Sequence, residues 1–132
     1  MKVRVCQELS FVLTNRPATL SDVAQAFARA KINLLAIDAS GGLEFNIVRV
    51  VSDQPARAKA ILKRKGLAVA ETDVLCVITS DQPGALAEIT AKLGKAVINI
   101  DYLYATGGQT GRDTLVVLHP SDARKAARLL AG

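Results

Sequence analysis

Tryptophan is absent from this 132-residue sequence, histidine occurs once, and aromatic residues make up only 4%. A chain so poor in aromatics has few rings on which to stack bases, which argues against an RNA-reading sheet. There are only two cysteines, Cys6 and Cys76, in neither a CxxC spacing nor a histidine cluster. That leaves a metal site or a redox motif unsupported, and both residues read as buried thiols. With a single histidine, no cysteine beside an evident base and no recurrent carboxylate pair, no catalytic triad or acid–base pair can be assembled, and no cofactor is expected. A buried Asp38 or Asp101 in a deep pocket would be the one route back to acid–base chemistry. The longest apolar run, around Val74 to Ile78, is too short to cross a bilayer. Met1 to Gln7 alternate charge with β-branched side chains and do not resemble a signal-peptide core, so a cytoplasmic protein with no membrane partner is expected.

What the sequence does have is a high apolar content, 50%, and a formal charge of +5. That composition suits one compact domain or two very small ones with a shared core. The cations are scattered along helices, as at Arg57, Lys59, Lys63, Arg64 and Lys65, and so read as a solvated face and not as a nucleic-acid footprint.

The dominant feature is an internal repeat, seen when the chain is laid over itself at half its length. Asn15-Arg16-Pro17-Ala18-Thr19-Leu20 falls on Asp81-Gln82-Pro83-Gly84-Ala85-Leu86, and Lys31-Ile32-Asn33-Leu34 falls on Val97-Ile98-Asn99-Ile100. The register then slips by about two residues in the glycine-rich stretch Gly107 to Gly111, as a lengthened loop would produce. Each copy opens with a short strand, Leu9 to Leu13 or Val74 to Ile78, which runs into a proline-containing turn. Leu20, Val23, Ala24, Phe27 and Ala30 then recur at helical spacing, as do Leu86, Ile89, Thr90, Leu93 and Ala96. Pro17 and Pro83 stand just before these helices, where a missing N–H costs nothing.

A second strand is expected from Ile32 and from Ile98, and a third over Phe45 to Val51 and Thr114 to Leu118. Gly41-Gly42 and Gly107-Gly108 supply the turns between them. A second helix in each copy carries Ala58, Ile61 and Leu62, with Gly66 as its stop, or Ala123, Ala126, Ala127, Leu129 and Leu130. The order βαββα with both helices on one face of an antiparallel sheet predicts an α+β, ferredoxin-like sandwich in each repeat. The repeats span 1–66 and 67–132. The fold needs a fourth strand, which Leu67 to Glu71 can supply for the first copy, whereas Gly132 directly follows the last helix of the second. Lys2 to Val5 falls on the same repeat position as Ala68 to Glu71. The N-terminal strand is therefore expected to complete the second copy, so that the repeats intertwine through residues 2–6 and 67–72.

The strand, the phrase Asp81-Gln82-Pro83-Gly84-Ala85-Leu86, the helix and the trailing Val97-Ile98-Asn99-Ile100 resemble the signature of ACT domains, here as a tandem pair over essentially the whole chain. The resemblance implies two ferredoxin-like βαββαβ units and a non-catalytic regulatory role in sensing a free L-amino acid. In that family, strands from neighbouring domains pair side by side, so that one domain's loop faces the other's second strand. Carried over by position, one pocket joins Asn15, Arg16, Pro17, Ala18, Thr19 and Leu20 with Ile98, Asn99 and Ile100. The other joins Asp81, Gln82, Pro83, Gly84, Ala85 and Leu86 with Ile32, Asn33 and Leu34.

The chemistry of these residues suits that task. A loop entering a helix exposes unpaired N–H groups at the positive end of the dipole and can hold a carboxylate. Asn33 and Asn99 offer amides that both donate and accept. Asp81 can pair with an ammonium group, and Arg16 can strengthen carboxylate binding or point into solvent. Ala18 stands where the family usually has glycine, so its Cβ crowds the ligand or its backbone is strained; the Gly84 loop is the better site. Turn preferences alone also explain part of the pattern, since proline and asparagine favour such places. His119, without a counterpart in the first copy, reads as a surface or structural residue. Apolar neighbours such as Leu34, Ala36, Ile100 and Tyr102 favour a branched-chain or aromatic ligand. The alternatives are a regulatory subunit that controls an amino-acid biosynthetic enzyme by contact, with homodimerisation compatible with either, and, less favoured, an RNA-binding module.

Overall fold

A computed structural model describes residues 1–107 and 112–132. The elements run in the order β1 (Lys2–Thr14), α1 (Thr19–Arg29), β2 (Leu34–Gly41), β3 (Phe45–Ser52), α2 (Pro55–Arg64), β4 (Ala70–Ser80), α3 (Ala85–Lys95), β5 (Ile100–Ala105), β6 (Asp113–Pro120) and α4 (Ala123–Ala131). They form two compact units, Gln7–Thr72 and Met1–Cys6 together with Asp73–Gly132.

In the first unit the antiparallel order is β2-β3-β1. Leu9, Phe11 and Leu13 alternate along β1 onto one face, as a half-buried strand requires, and meet Val48 and Val50 of β3. Against that face α1 lays Val23 and Phe27, four residues apart, while α2 adds Ala58, Ile61 and Leu62. The second unit repeats this plan with β4-β6-β5. There Leu75, Val77, Val116 and Leu118 meet Ile89 and Leu93 of α3 and Ala126 and Leu130 of α4. Each unit is thus an antiparallel sheet covered by two helices, the ferredoxin-like sandwich of the sequence reading.

The segments 2–5 and 9–13, read separately in the sequence, are one strand, and 67–71 with 74–78 are largely another, beginning at Ala70. Neither junction contains glycine or proline, so nothing interrupts the extended backbone. The first residues of β1, through Cys6, belong to the second unit, where Val3 packs against the core. Leu67 and Val69 pack against the core of the first unit. The compact units therefore begin at Gln7 and Asp73, six residues beyond the repeat starts at 1 and 67. Cys76 is buried, as read, but Cys6 is only half-buried.

The second strands begin at Leu34 and Ile100, two residues later than the sequence reading placed them, because of how the preceding helices stop. Lys31 donates to the Ala28 carbonyl and Ile32 to the Phe27 carbonyl, both at 3.0 Å. Val97 and Ile98 make the equivalent bonds to Gly94 and Leu93. These are Schellman closures, and they turn Lys31 and Val97 to a φ of 58°. The chain then drives Ile32 and Ile98 into the two cores. Helix α2 closes the same way with Gly66 at φ 81°, the stop read from the sequence.

At the β2–β3 turn a Cβ on Gly41 would lie 2.5 Å from the Phe45 carbonyl oxygen, so only glycine fits there. Gly107 is described, but Gly108 and Gly111, the rest of the expected turn and register slip, lie outside the described residues.

Candidate ligand site

The proline loops are built alike in both repeats. Asn15 N–H donates to the Glu44 carbonyl and Asp81 N–H to the Arg112 carbonyl, each at 2.7 Å. Pro17 and Pro83 follow, and the N-cap positions fall on Ala18 and Gly84, both left-handed, with φ of 72° and 92°. Neither residue has a side chain that can cap, and no side-chain cap is found at either N-cap among the described residues. By contrast, Asp122 caps α4 by accepting from the Lys125 N–H at 3.0 Å.

The consequence is a pair of free donors at each helix start. Thr19 N–H bonds back to Arg16 and Asp22 N–H to Ala18, while Leu20 and Ser21, between them, find no protein acceptor among the described residues. Ala85 and Glu88 bond the same way, and Leu86 and Ala87 find no acceptor among the described residues. These N–H groups point along the positive end of the helix dipole and can receive a carboxylate. Leu20 and Leu86, expected in the helix stripes that pack on the sheet, are instead 40% and 48% exposed, so each donor pair has an apolar neighbour. The buried stripe is narrower, Val23 with Phe27 and Ile89 with Leu93.

Several of the loop side chains hold the loop in place. Asn15 donates to the carbonyls of Gly42 and Leu43, both at 3.2 Å, and accepts from Asn46 at 3.4 Å, tying the loop to the β2–β3 turn. The Thr19 hydroxyl donates to the Thr14 carbonyl at 2.9 Å. The carboxylate of Asp81 lies beside Gly107, where an added Cβ would stand 3.1 Å from Oδ1. Arg16 is exposed and borders a groove of about 450 Å³ with Asp22 and Lys65. Gln82, Pro83 and Pro17 are also exposed, and Ala85 is half-buried.

At the strand entries, Asn33 and Asn99 are exposed and their backbones are anchored reciprocally. Asn33 N–H donates to Asp53 Oδ1 at 3.0 Å, and Asp53 N–H returns to the Asn33 carbonyl at 3.1 Å. Asn99 N–H donates to the Ser121 hydroxyl at 3.0 Å, and Ser121 N–H returns to the Asn99 carbonyl at 2.8 Å. Ile32 and Ile98 are core residues, and Leu34 and Ile100 pack partly against the same cores, so these four turn toward the helices.

Within one unit, loop and asparagine are not brought together. They lie at opposite ends of an eleven-residue helix, a separation of about 16 Å at 1.5 Å per residue. Beyond the entry, Asp38 pairs with Arg49 at 3.4 Å, and Asp101 Oδ2 lies 2.9 Å from His119 Nδ1. Among the described residues no group of three His, Cys, Asp or Glu is placed to hold a metal ion. Nor is any of their helices long and apolar enough to cross a membrane.

The family model for an ACT domain pair matches residues 4–130. This chain belongs to the ACT-pair family. The ACT pair has no match among curated proteins. Among solved structures, a protein from Bacteroides thetaiotaomicron matches it with a TM-score of 0.88 at 30% identity, over 98% of this chain and 88% of that one. The ligand-free regulatory subunit of aspartate kinase from Thermus thermophilus matches with a TM-score of 0.68 at 15% identity, over 99% and 95% of the two chains. Its counterpart from Thermus flavus gives 0.64 at 14%, over 97% and 90%. The last two likenesses are of fold.

Sequence reasoning missed Asp53 and Ser121 and named Asp101 and His119 without placing them beside the strand entry of this ACT pair. Asp53 and Ser121 fix the asparagine backbones, Asp101 accepts from the Asn99 amide, and His119 lies against Asp101. A signal for the first two was available: Ser121 stands 68 residues after Asp53, the repeat spacing once the register has slipped by two.

Proposed function

We propose that this ACT pair is a non-catalytic regulatory module that binds a free amino acid. The ligand carboxylate is received by the free N–H groups at the start of α3 or α1, and its ammonium group by Asn33 or Asn99 of a different repeat. The observation that carries this reading is the twofold recurrence of an uncapped helix start with two unpaired donors beside an exposed leucine. An amino acid has the matching parts: a carboxylate for the donors and a side chain for the leucine. The exposed Leu20 and Leu86 favour a branched-chain or aromatic side chain.

Loop and asparagine of one unit are too far apart to share a small ligand. A complete site takes its two halves from different repeats, and a second copy of the chain can bring them together. Among the described residues, strand β2 has β3 as its one neighbour, and β5 has β6, so each unit ends in an edge strand. Pairing of these edges between two chains completes the site and makes the working form a homodimer. The Gly84 loop is the better half, since its N-cap geometry is natural for glycine and strained for Ala18.

A second reading, control of an amino-acid biosynthetic enzyme by contact, is compatible with the first, and the fold shared with regulatory subunits of aspartate kinase favours it. The test is a thermal-shift screen against the twenty common amino acids. Millimolar ligand at micromolar affinity adds about 4 kcal/mol of stability, an easily visible shift. One amino acid, or a small related group, should raise the melting temperature. No shift with any of the twenty overturns the ligand reading.

A further inference from the structure

The two strand entries, alike in backbone, differ in side-chain chemistry. In the second unit Asn99 Nδ2 donates to Asp101 Oδ1 at 2.8 Å. The other carboxylate oxygen, Oδ2, lies 2.9 Å from His119 Nδ1, a buried atom that sits off the line of a hydrogen bond. The imidazole is stacked on Tyr102, its cross-strand partner, with ring centroids 5.1 Å apart and planes inclined by 14°. The pairs Tyr102–His119 and Ala36–Val51 both follow the bulge near the start of their strands, so they occupy the same register position in the two units. The first unit therefore has Leu35, Ala36 and Val51 where the second has Asp101, Tyr102 and His119.

This cluster fixes the direction of one amide. An ionised carboxylate only accepts, so the Asn99 amide must turn its NH₂ toward Asp101 and its oxygen away from it. Among the described residues, that oxygen accepts from no donor. Asn33 has no such constraint, since Leu35 offers no acceptor and no side-chain hydrogen bond of Asn33 is found among the described residues.

We propose that Asp101, buttressed by His119, is a positioning and specificity-determining residue that locks Asn99 as a hydrogen-bond acceptor. It makes the β5 entry selective for a ligand ammonium group and leaves the β2 entry permissive. The inference rests on the amino-acid reading above and deepens it. The β5 half takes primary-ammonium acids and discriminates against the 2-hydroxy or 2-oxo acid with the same side chain, because a fixed acceptor next to a carboxylate favours a cationic donor, for which a hydroxyl substitutes only a neutral one and an oxo group none. The β2 half, whose asparagine can present either end of its amide, discriminates less.

The experiment is calorimetric titration of the full chain. The probes are the amino acid giving the largest shift among the twenty common ones and its 2-hydroxy acid, for example leucine and 2-hydroxyisocaproate. Asp101→Asn should lower the affinity of one class of sites for the amino acid at least tenfold and leave that for the hydroxy acid unchanged. Asn99→Ala, at another exposed position, should lose the same preference and guards against a folding defect in the first variant. Equal loss of both probes, or no loss of either, overturns the inference and leaves amino-acid binding standing. A wild-type chain that binds none of the twenty overturns the underlying reading, and this inference with it.

Discussion

The amide of Ile98 donates to the carbonyl of Leu93 at 2.9 Å, and the closure holds the intervening Val97 at φ 58°. For a β-branched residue this conformation is a genuine outlier. Val97 is also 90% exposed, so its side chain gains almost nothing from packing. Replacing it with glycine removes a left-handed cost of about 1–2 kcal/mol, offset in part by about 0.4–1 kcal/mol of extra unfolded-state entropy. Val97→Gly should therefore stabilise the chain by about 1 kcal/mol, read as a higher midpoint in urea with an unchanged slope.

The N-cap pair offers a reciprocal experiment. Ala18 and Gly84 share the left-handed conformation, and a Cβ at Gly84 would meet no atom within 4 Å, so the cost of alanine there is conformational and not steric. Ala18→Gly should stabilise, and Gly84→Ala destabilise, each by about 1 kcal/mol. A large loss in Gly84→Ala, several times the gain in Ala18→Gly, would show that the two loops are not the equivalents their hydrogen bonds suggest.

Gly41 is under a different constraint. Its Cβ would stand 2.5 Å from the Phe45 carbonyl and 3.0 Å from Asn46 Cα, both backbone atoms with little room to yield. Gly41→Ala should cost about 1–3 kcal/mol, like other overpacking substitutions. The neighbouring Gly42, with nothing within 4 Å, should accept alanine at little cost, and comparison of the two by denaturant titration checks the assignment.

Removing residues 1–6 tests whether the units depend on each other. Met1–Cys6 belongs to the second unit, and Val3 packs against its core. Without that segment the second unit loses part of its sheet, and the truncated chain should unfold or associate. Size-exclusion chromatography and amide exchange would detect either, and a fully protected monomer would show that the segment is dispensable.

Much of the fold was legible because it is written in local periodicity. The alternation of Leu9, Phe11 and Leu13, the four-residue steps Val23–Phe27 and Ile89–Leu93, and Gly66 after α2 each dictate structure over a few residues. The loops around Pro17 and Pro83 were legible as repeats. Which of their atoms remain free was not, because Asn15 and Thr19 could as well have faced a ligand as bonded to the backbone.

The strand entries show where sequence reading ends. Ile32 and Ile98 stand next to Asn33 and Asn99 and were read as pocket residues, yet the Schellman closures turn them into the cores. Nothing in a one-residue neighbourhood distinguishes an isoleucine that lines a pocket from one that seals a helix end. Asp101 is two residues from Asn99, but His119 is twenty away and reaches Asp101 only because β5 and β6 pair in register.

The sequence by itself determined the doubling, the helix and strand stripes and the two proline loops, because each depends on spacing within one element. Tertiary structure alone decided which helix-start donors stay unpaired, where Ile32 and Ile98 go, and which end of the Asn99 amide is presented. Those outcomes depend on partners supplied from distant positions, and a hydrogen bond is directional, so which atoms are spent and which stay free is settled only when both partners are in place.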